Sequence, residues 1–510
     1  MQVNRSAIPL QRYAKLQTKQ NIFAIIMVFE ELKHQILLQF GLIPTQEQGH
    51  ALEIFARFLT DTDPHVAMIL RGSAGTGKTS LSGAIVRALV AIRQKVMLMA
   101  PTGRAAKVFS LNSGCPAYTI HRRIYREKSF AGVDGLFNLN DNLYTDTLFM
   151  VDEASMISNM GGLGTSFGSG CLLDDLVHFV YQGRNDRLML IGDTAQLPPV
   201  GEEESPALCT TVLEAYGLKV YECDLNEVLR QSQQSGILYN ATVIRQMITH
   251  DAVTQLPLIQ FQGFADIVMM PGNELVESLV NSYYQMGLDE TMVITRSNKR
   301  ANIYNNGIRN MVLDRGEDEL SGGDMLMIVK NNYFWTEKER KEVKDEAGKS
   351  AIPPFLANGD RAKVLRVRRH IDLYGFRFAT LLLQFPDYDD YEISVTTLLD
   401  TLQSEAPALT HEQQEQLFHG VEEDYQDVPL KIDRMKAIRQ DAYFNALQVK
   451  YAYAITCHKA QGGQWEHVYV DQGYMTDDML TPDYIHWLYT AFTRAKSKLF
   501  LVNWPKTQTV

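Results

Sequence analysis

Leu70-Arg71-Gly72-Ser73-Ala74-Gly75-Thr76-Gly77-Lys78-Thr79 follows the apolar run Val66 to Leu70 and precedes a helix-like segment from Ser80 to Ile92. The spacing is G-x-x-x-x-G-K-[ST], in which glycines let backbone N–H groups wrap a polyphosphate, the lysine reaches the β and γ oxygens, and the hydroxyl takes Mg2+. A buried strand, a tight turn and a helix whose N-terminal dipole faces the anion complete the context. Gly72, Ser73, Ala74, Gly75, Thr76, Gly77, Lys78 and Thr79 are therefore the expected cradle of a triphosphate and its Mg2+. An incidental glycine-rich turn would not require all four fixed positions and both flanks to agree.

Leu148 to Val151 is a second apolar strand, and it ends in Asp152-Glu153. Adjacent acids at a strand end downstream of a phosphate loop suit two tasks: Asp152 joins Thr79 around Mg2+, and Glu153 takes a proton from the attacking water. A third strand, Leu188 to Ile191, runs into Gly192-Asp193-Thr194-Ala195-Gln196-Leu197-Pro198-Pro199-Val200, where Gln196 could sense the γ-phosphate from a neighbouring strand end. Upstream, Thr45-Gln46-Glu47-Gln48 opens a helix; the Gln48 amide offers the donor and acceptor that an adenine edge needs, or Thr45 is a helix cap beside a solvent-facing glutamine.

Pro101-Thr102-Gly103-Arg104-Ala105-Ala106-Lys107 and Thr119-Ile120-His121-Arg122-Arg123 gather hydroxyls, backbone amides and cations. Such groups hold a phosphodiester backbone without reading bases, so Pro101, Thr102, Gly103, Arg104, Lys107, Thr119 and His121 are candidate nucleic-acid contacts. Between these stretches and Val151, the pair Asp134-Gly135 flanked by apolar residues predicts a small hairpin within about 127 to 146.

Composition bounds the rest. The 510 residues are 45% hydrophobic and 21% charged, an ordinary globular chain of about three or four domains. Its net charge of −11, from 49 basic and 60 acidic residues, excludes a molecule that is basic all over, although a local groove can still be basic. The five cysteines are scattered without a C-x-x-C pair, which excludes a zinc site or disulfide framework and fits a reducing cytoplasm. Residues 1 to 29 place an apolar run, Ile22 to Phe29, after four basic residues, but Glu30-Glu31 follow and no small-residue cleavage site does. They read as a cytosolic extension, with Met27 as an alternative start, and no stretch is apolar enough to imply a membrane partner.

Buried strands alternating with helices make the chain α/β: one doubly wound domain up to about residue 225, then a second such unit that is split. The second unit shows strands at Met292 to Thr295, Lys450 to Thr456, Val468 to Val470 and Lys498 to Val502, with a helical segment from Asn298 to Met311. Between its parts, roughly 325 to 440, lies a β-patterned insertion with a mixed charge run at 337 to 349, a basic strand from Arg361 to Arg369 and an acidic stretch, Gln403 to Asp427. Residues 161 to 170, with five glycines, read as a surface loop.

Further blocks follow in order: Leu225 to Gln231, ending Leu229-Arg230-Gln231; His458-Lys459-Ala460-Gln461-Gly462; and Tyr489-Thr490-Ala491-Phe492-Thr493-Arg494-Ala495. With the stretches above, the chain resembles the superfamily 1 DNA helicases, in their RecD-like and phage Dda-like 5′-to-3′ branch, from about Thr45 to Val502. The resemblance implies two RecA-like P-loop domains in tandem (46–225, and 226–325 plus 441–510) after an N-terminal segment, 1–45. The 127–146 hairpin would be a strand-separating pin, and 326–440 would be an SH3-like insertion whose basic strand lines the DNA channel. It further implies Gln48 at the adenine, Arg230 and Arg494 on the developing phosphate charge, Gly462 at the nucleotide, and Thr456 and His458 on nucleic acid. The implied activity is ATP-driven movement on single-stranded DNA and opening of single/double-strand junctions by a monomer, in repair, recombination or replication. The acidic 403–427 segment is open to protein partners. Gly463 stands where such helicases often carry Ser or Thr, so this position offers no hydroxyl contact. An RNA helicase on the same architecture, or a P-loop regulatory ATPase without motor activity, are the competing readings, since backbone contacts do not see the sugar unless they reach its 2′-OH.

Overall fold

The computed structural model describes residues 19–130, 135–161, 168–227, 234–249, 255–343, 352–353, 355–476 and 479–510. The chain divides into two compact units, one of residues 1–257 with 480–493, the other of 258–479 with 494–510.

In unit 1 the strands are β1 (Val66–Gly72), β2 (Lys95–Ala100), β3 (Ala117–Thr119), the hairpin pair β4 (Tyr125–Phe130) and β5 (Gly135–Leu139), then β6 (Thr147–Val151), β7 (Arg187–Gly192) and β8 (Lys219–Leu225). Six of them form one sheet in the order β3-β2-β6-β7-β1-β8, parallel throughout. Their near-continuous apolar runs follow from burial on both faces. Met68, Leu70, Leu148, Met150, Met189 and Ile191 join one core with the helices Gln46–Thr60 and Lys78–Ala91. Their alternating neighbours Ala67, Ile69, Phe149, Val151, Leu188 and Leu190 join a second core with the helix Leu172–Gln182. β4 and β5 pair antiparallel, a hairpin at the expected place. The tip containing Asp134 lies outside the described residues, as do 1–18, 162–167 of the glycine-rich loop and 344–350 of the charge run.

Unit 2 holds a second parallel sheet and a barrel. Its strands are β9 (Ile267–Met270), β10 (Thr291–Thr295), β11 (Met325–Ile328), β12 (Arg361–Leu373), β13 (Phe376–Phe385), β14 (Tyr391–Leu398), β15 (Leu447–Tyr451), β16 (Ala454–Thr456), β17 (Trp465–Asp471) and β18 (Ala495–Val502). The sheet order is β16-β10-β17-β18-β9, and β11 to β15 close a small five-stranded barrel. The acidic stretch contains the helix His411–Asp424, which a Thr410/Gln413 capping box starts and which packs Leu417 and Val421 beside Phe376 and Phe378 of the barrel.

Two expectations change here. The strand expected from Lys450 to Thr456 is two strands, one closing the barrel and one in the sheet. Buried Asn305 holds the crossing: its Oδ1 accepts the N–H groups of Tyr453 (3.1 Å) and Ala454 (2.8 Å), and its amide donates to Ala454 O (3.0 Å). The helix expected over 298–311 is the α-helix Asn298–Gly307 followed by a π turn, Ile308–Val312. The described residues of 226–257 and the helix Pro482–Phe492 gather with unit 1. Among the described residues no helix is long and apolar enough to cross a membrane.

Candidate active site

The phosphate loop leaves β1 at Gly72 and enters the helix Lys78–Ala91. Gly75 (φ +78°) and Gly77 (φ +80°) turn it through left-handed backbone that a side chain would strain. At Gly72 the constraint is space, because a Cβ would stand 2.8 Å from Lys78 Cγ. Lys78 lies back over the loop, donating to Gly72 O and to Ser73 O (3.1 Å), with its Nζ 3.9 Å from Asp193 Oδ2. Gln48 is buried: its Nε2 donates to Thr76 O (2.9 Å), and its Oε1 accepts Thr45 N–H (3.0 Å) within a capping box. The glutamine therefore braces the loop and caps its helix at once, and is not solvent-facing.

Asp152 and Glu153 follow β6. Glu153 sits at φ 53°, ψ 38°, a left-handed conformation that costs a non-glycine residue about 1–2 kcal/mol. Asp152 Oδ1 accepts the Glu153 N–H at 2.9 Å and helps hold it there. Burial, then the neighbouring Glu153 charge, push the Asp152 carboxyl up to about 7, against the pull of Lys78. Among the described residues no cluster of three His, Cys, Asp or Glu could hold a metal alone. Mg2+ commonly keeps waters and binds one or two carboxylates together with substrate phosphates. Asp152 with Thr79 fits that pattern, and a divalent cation would relieve the crowded charge.

The loop after β7 supplies the third wall. Asp193 Oδ1 accepts Ala195 N–H (3.0 Å), and Oδ2 accepts the Tyr489 hydroxyl (2.7 Å). Gln196 is 5% exposed, and among the described residues its amide oxygen has no hydrogen-bond partner. Leaving a buried acceptor unsatisfied costs about 1–3 kcal/mol, so a partner supplied by substrate or water fits this position. One face of the helix Pro482–Phe492 grips the loop through residues one turn apart. His486 Nδ1 meets Ala195 O (2.9 Å), and Leu197 N–H donates to Thr490 Oγ1 (2.8 Å). The Tyr489 hydroxyl, donating to Asp193, accepts Ala74 N–H of the phosphate loop (2.9 Å); burial and Asp193 raise its pKa well above the ordinary value.

Sequence reasoning missed Arg245, on the helix Gly236–Thr249, whose Nη1 donates to Ser73 Oγ (2.6 Å) and Asn226 Oδ1 (3.3 Å). A single arginine on an otherwise unremarkable helix carries no motif. Arg230 lies outside the described residues. In unit 2, Arg494 is 2% exposed and donates to Gly463 O (3.2 Å), beside the tight turn that Gly462 (φ +70°) allows. A Cβ at Gly463 would meet Trp465 Cη2 at 2.6 Å, which explains the absence of a larger residue there.

The expected nucleic-acid contacts of unit 1 follow β2 and β3, which run parallel with Ala100 opposite Thr119. Thr102 and Thr119 are both helix caps, accepting Ala105 N–H (3.2 Å) and Arg122 N–H (3.3 Å). Pro101, Gly103, Arg104 and Lys107 belong to the same turn and first helical residues. Burial pushes the His121 imidazole down to about 4, so it is neutral near pH 7. Beside it the Tyr118 ring carries the guanidinium groups of Arg122 and Arg123 at 4.5 and 4.0 Å. In unit 2, Thr456 stands at the start of the one-turn helix Cys457–Ala460, and His458 is exposed.

The family profile described as AAA domain matches residues 45–256, and that described as UvrD-like helicase C-terminal domain matches 451–502. The chain is 30% identical to the ATP-dependent RecD2 DNA helicase of Deinococcus radiodurans over 31% of its length and 20% of that protein. It is 25% identical to the ATP-dependent DNA helicase dda of Enterobacteria phage T4 over 58% of its length and 62% of that protein. An uncharacterized Methanocaldococcus jannaschii protein is 23% identical over 90% of this chain, which spans 38% of that protein. A crystal structure of Pif1 helicase from Bacteroides in complex with ADP-AlF3 and ssDNA aligns at TM-score 0.44 and 14% identity, over 92% of this chain and 94% of that one.

Proposed function

We propose that this chain, which carries an AAA domain and a UvrD-like helicase C-terminal domain, is a superfamily 1 helicase that hydrolyses ATP to move 5′ to 3′ on single-stranded DNA and open duplex ahead of it. The observation that carries the reading is the helix Pro482–Phe492. It belongs to the stretch matched as helicase C-terminal domain, it holds the loop bearing Gln196 and the phosphate loop in unit 1, and its chain runs directly into β18 of unit 2 through Arg494. A regulatory P-loop ATPase has no use for that continuity.

In this reading Lys78 leaves its loop carbonyls for the β and γ oxygens when ATP arrives, and Thr79 and Asp152 hold Mg2+. The cation, when bound, neutralises charge between the β- and γ-phosphates. Gln196 orients the water with its unpaired oxygen, Glu153 takes the proton, and Arg230 and Arg494 stabilise the leaving charge. Gln48, already committed on both amide atoms, acts on the adenine through its remaining N–H and lone pair. Gly462 lends the turn beside Arg494. Nucleic acid follows Thr102, Arg104, Lys107, Thr119 and His121 in unit 1 and Thr456 and His458 in unit 2. The hairpin β4–β5 serves as the pin, and the barrel as an SH3-like wall of the DNA path. The biological setting is cytoplasmic DNA repair, recombination or replication by a monomer, with the acidic segment 403–427 available to partners.

The test is strand displacement with ATP on duplexes carrying a 5′ or a 3′ tail, in DNA and in RNA. The reading requires unwinding from the 5′ DNA tail and none from the 3′ tail; RNA-tailed substrates working equally well would make it an RNA helicase. Replacing 130–136 with a short glycine linker should cut unwinding far more than DNA-stimulated ATPase, and an unchanged unwinding rate would reduce the hairpin to an ordinary loop.

A further inference from the structure

We propose that Arg245 contacts the terminal phosphate of bound ATP and stabilises its charge during transfer, an arginine supplied by unit 1 itself. This rests on the ATPase reading above and goes beyond it. Arg245 is half-buried, and both its bonds, to Ser73 Oγ at 2.6 Å and Asn226 Oδ1 at 3.3 Å, use Nη1 and go to neutral oxygens. No carboxylate pairs with it among the described residues, and its Nε and Nη2 take no protein partner there. A guanidinium held at an anion-binding loop without a counter-charge is placed where an anion completes it.

The position selects the terminal phosphate. Ser73 and Ala74 begin the loop where β1 ends, whereas the amides of the helix N-terminus lie at the other end, at Lys78 and Thr79. Ala74 is bonded to Tyr489, Tyr489 to Asp193, and Asp193 heads the loop that carries Gln196 and its unpaired oxygen. Arg245 thus stands on the side of the loop where water is oriented. In phosphoryl transfer, charge spreads over the equatorial oxygens of the transferred group, and the planar guanidinium fork can meet two of them at once.

A purely structural role would end in tying Asn226 to Ser73, and the experiment separates the two. In the 510-residue chain, hydrolysis and the affinities for ADP and for ADP with fluoroaluminate are measured for Arg245→Gln, Arg245→Lys and Asn226→Ala. Loss of one charge-stabilising donor predicts that Arg245→Gln lowers kcat about 10²- to 10³-fold. Its ADP affinity should stay near wild type while the extra affinity conferred by fluoroaluminate disappears. Asn226→Ala should stay within about fivefold of wild type, because it breaks the tie while leaving the guanidinium and the phosphate loop in place. Arg245→Lys, which keeps the charge without the fork, should fall between them and serves if the glutamine variant does not fold. Equal losses in Arg245→Gln and Asn226→Ala, or ADP affinity falling in step with hydrolysis, would overturn the assignment. A wild-type chain that does not hydrolyse ATP would instead overturn the ATPase reading on its own.

Discussion

Each of the two parallel sheets ends in loops at its own carboxyl edge, and the two use their acids in opposite ways. In unit 2, Asp471 closes β17 with both oxygens committed. Its Oδ2 accepts Arg300 Nε–H (2.8 Å) and the Tyr304 hydroxyl (2.6 Å), and its Oδ1 accepts Gly473 N–H (2.7 Å). In unit 1, Asp152 carries a carboxyl that burial and Glu153 crowd toward neutrality, Glu153 is held in left-handed backbone, and Gln196 keeps a buried oxygen with no partner among the described residues. One edge has spent its polar groups on the fold, and the other has kept some of them for a ligand. The architecture is shared, so it does not distinguish them; the state of the loops does.

The largest expected effect lies on the edge with capacity to spare. With Glu153 as the proposed general base, Glu153→Gln should cut ATP turnover about 10²- to 10⁴-fold while leaving thermal stability and ATP binding close to wild type. Lys78→Ala should abolish turnover by a different route, because it also weakens nucleotide binding. Near-normal ATPase in Glu153→Gln would break the comparison at its strongest point.

The committed edge should respond in stability. Asp471→Ala strips charged hydrogen bonds worth about 1.5–3 kcal/mol each, partly offset because Arg300 is 44% exposed and regains water. Denaturant unfolding should show a lower midpoint, with turnover per folded molecule retained. A variant as stable as wild type but catalytically dead would move Asp471 into the active machinery. A smaller loss of the same kind is expected for Gly463→Ser, whose Cβ would press on Trp465 at 2.6 Å. Overpacking there should cost about 1–3 kcal/mol, and a neutral result would mean the indole shifts easily.

What could be read from the chain follows from how local each signal is. The phosphate loop, Asp152-Glu153 and the Gln196 loop are short-range patterns on strands whose apolar runs are continuous, and they stand where expected in the sheet of unit 1. Tyr489 was read only as a member of a block, since nothing at helical spacing says that its hydroxyl will reach Ala74, 415 residues away in sequence. Arg245 was invisible for the same reason. The β-rich run from Lys450 to Thr456 hid a change of partner between barrel and sheet, because apolar patterning marks burial without naming the neighbour. Gln48 illustrates a third case: capping and site chemistry ask for the same amide, and only the bond to Thr76 O shows that the loop has claimed one of its N–H groups.

The smallest expected effect concerns the two histidines proposed for nucleic acid, one on each unit. His458 is exposed, whereas burial holds His121 down to about 4, with Asp175 pulling weakly the other way. An unfolded histidine titrates near 6.5, so between about 4 and 6.5 the unfolded chain binds the extra proton. The stability His121 contributes is therefore present above about 6.5 and lost as pH falls through that window toward 4. At the phosphate backbone the consequence is a neutral contact, a hydrogen bond without a charge. Binding of a single-stranded DNA oligomer, measured at pH 8 and pH 6, should tighten by the same factor in wild type and in His121→Gln, since any tightening comes from groups that gain a proton in that range. If the tightening disappears in His121→Gln, the imidazole is taking up a proton against the backbone, and the environment of His121 must open when nucleic acid binds.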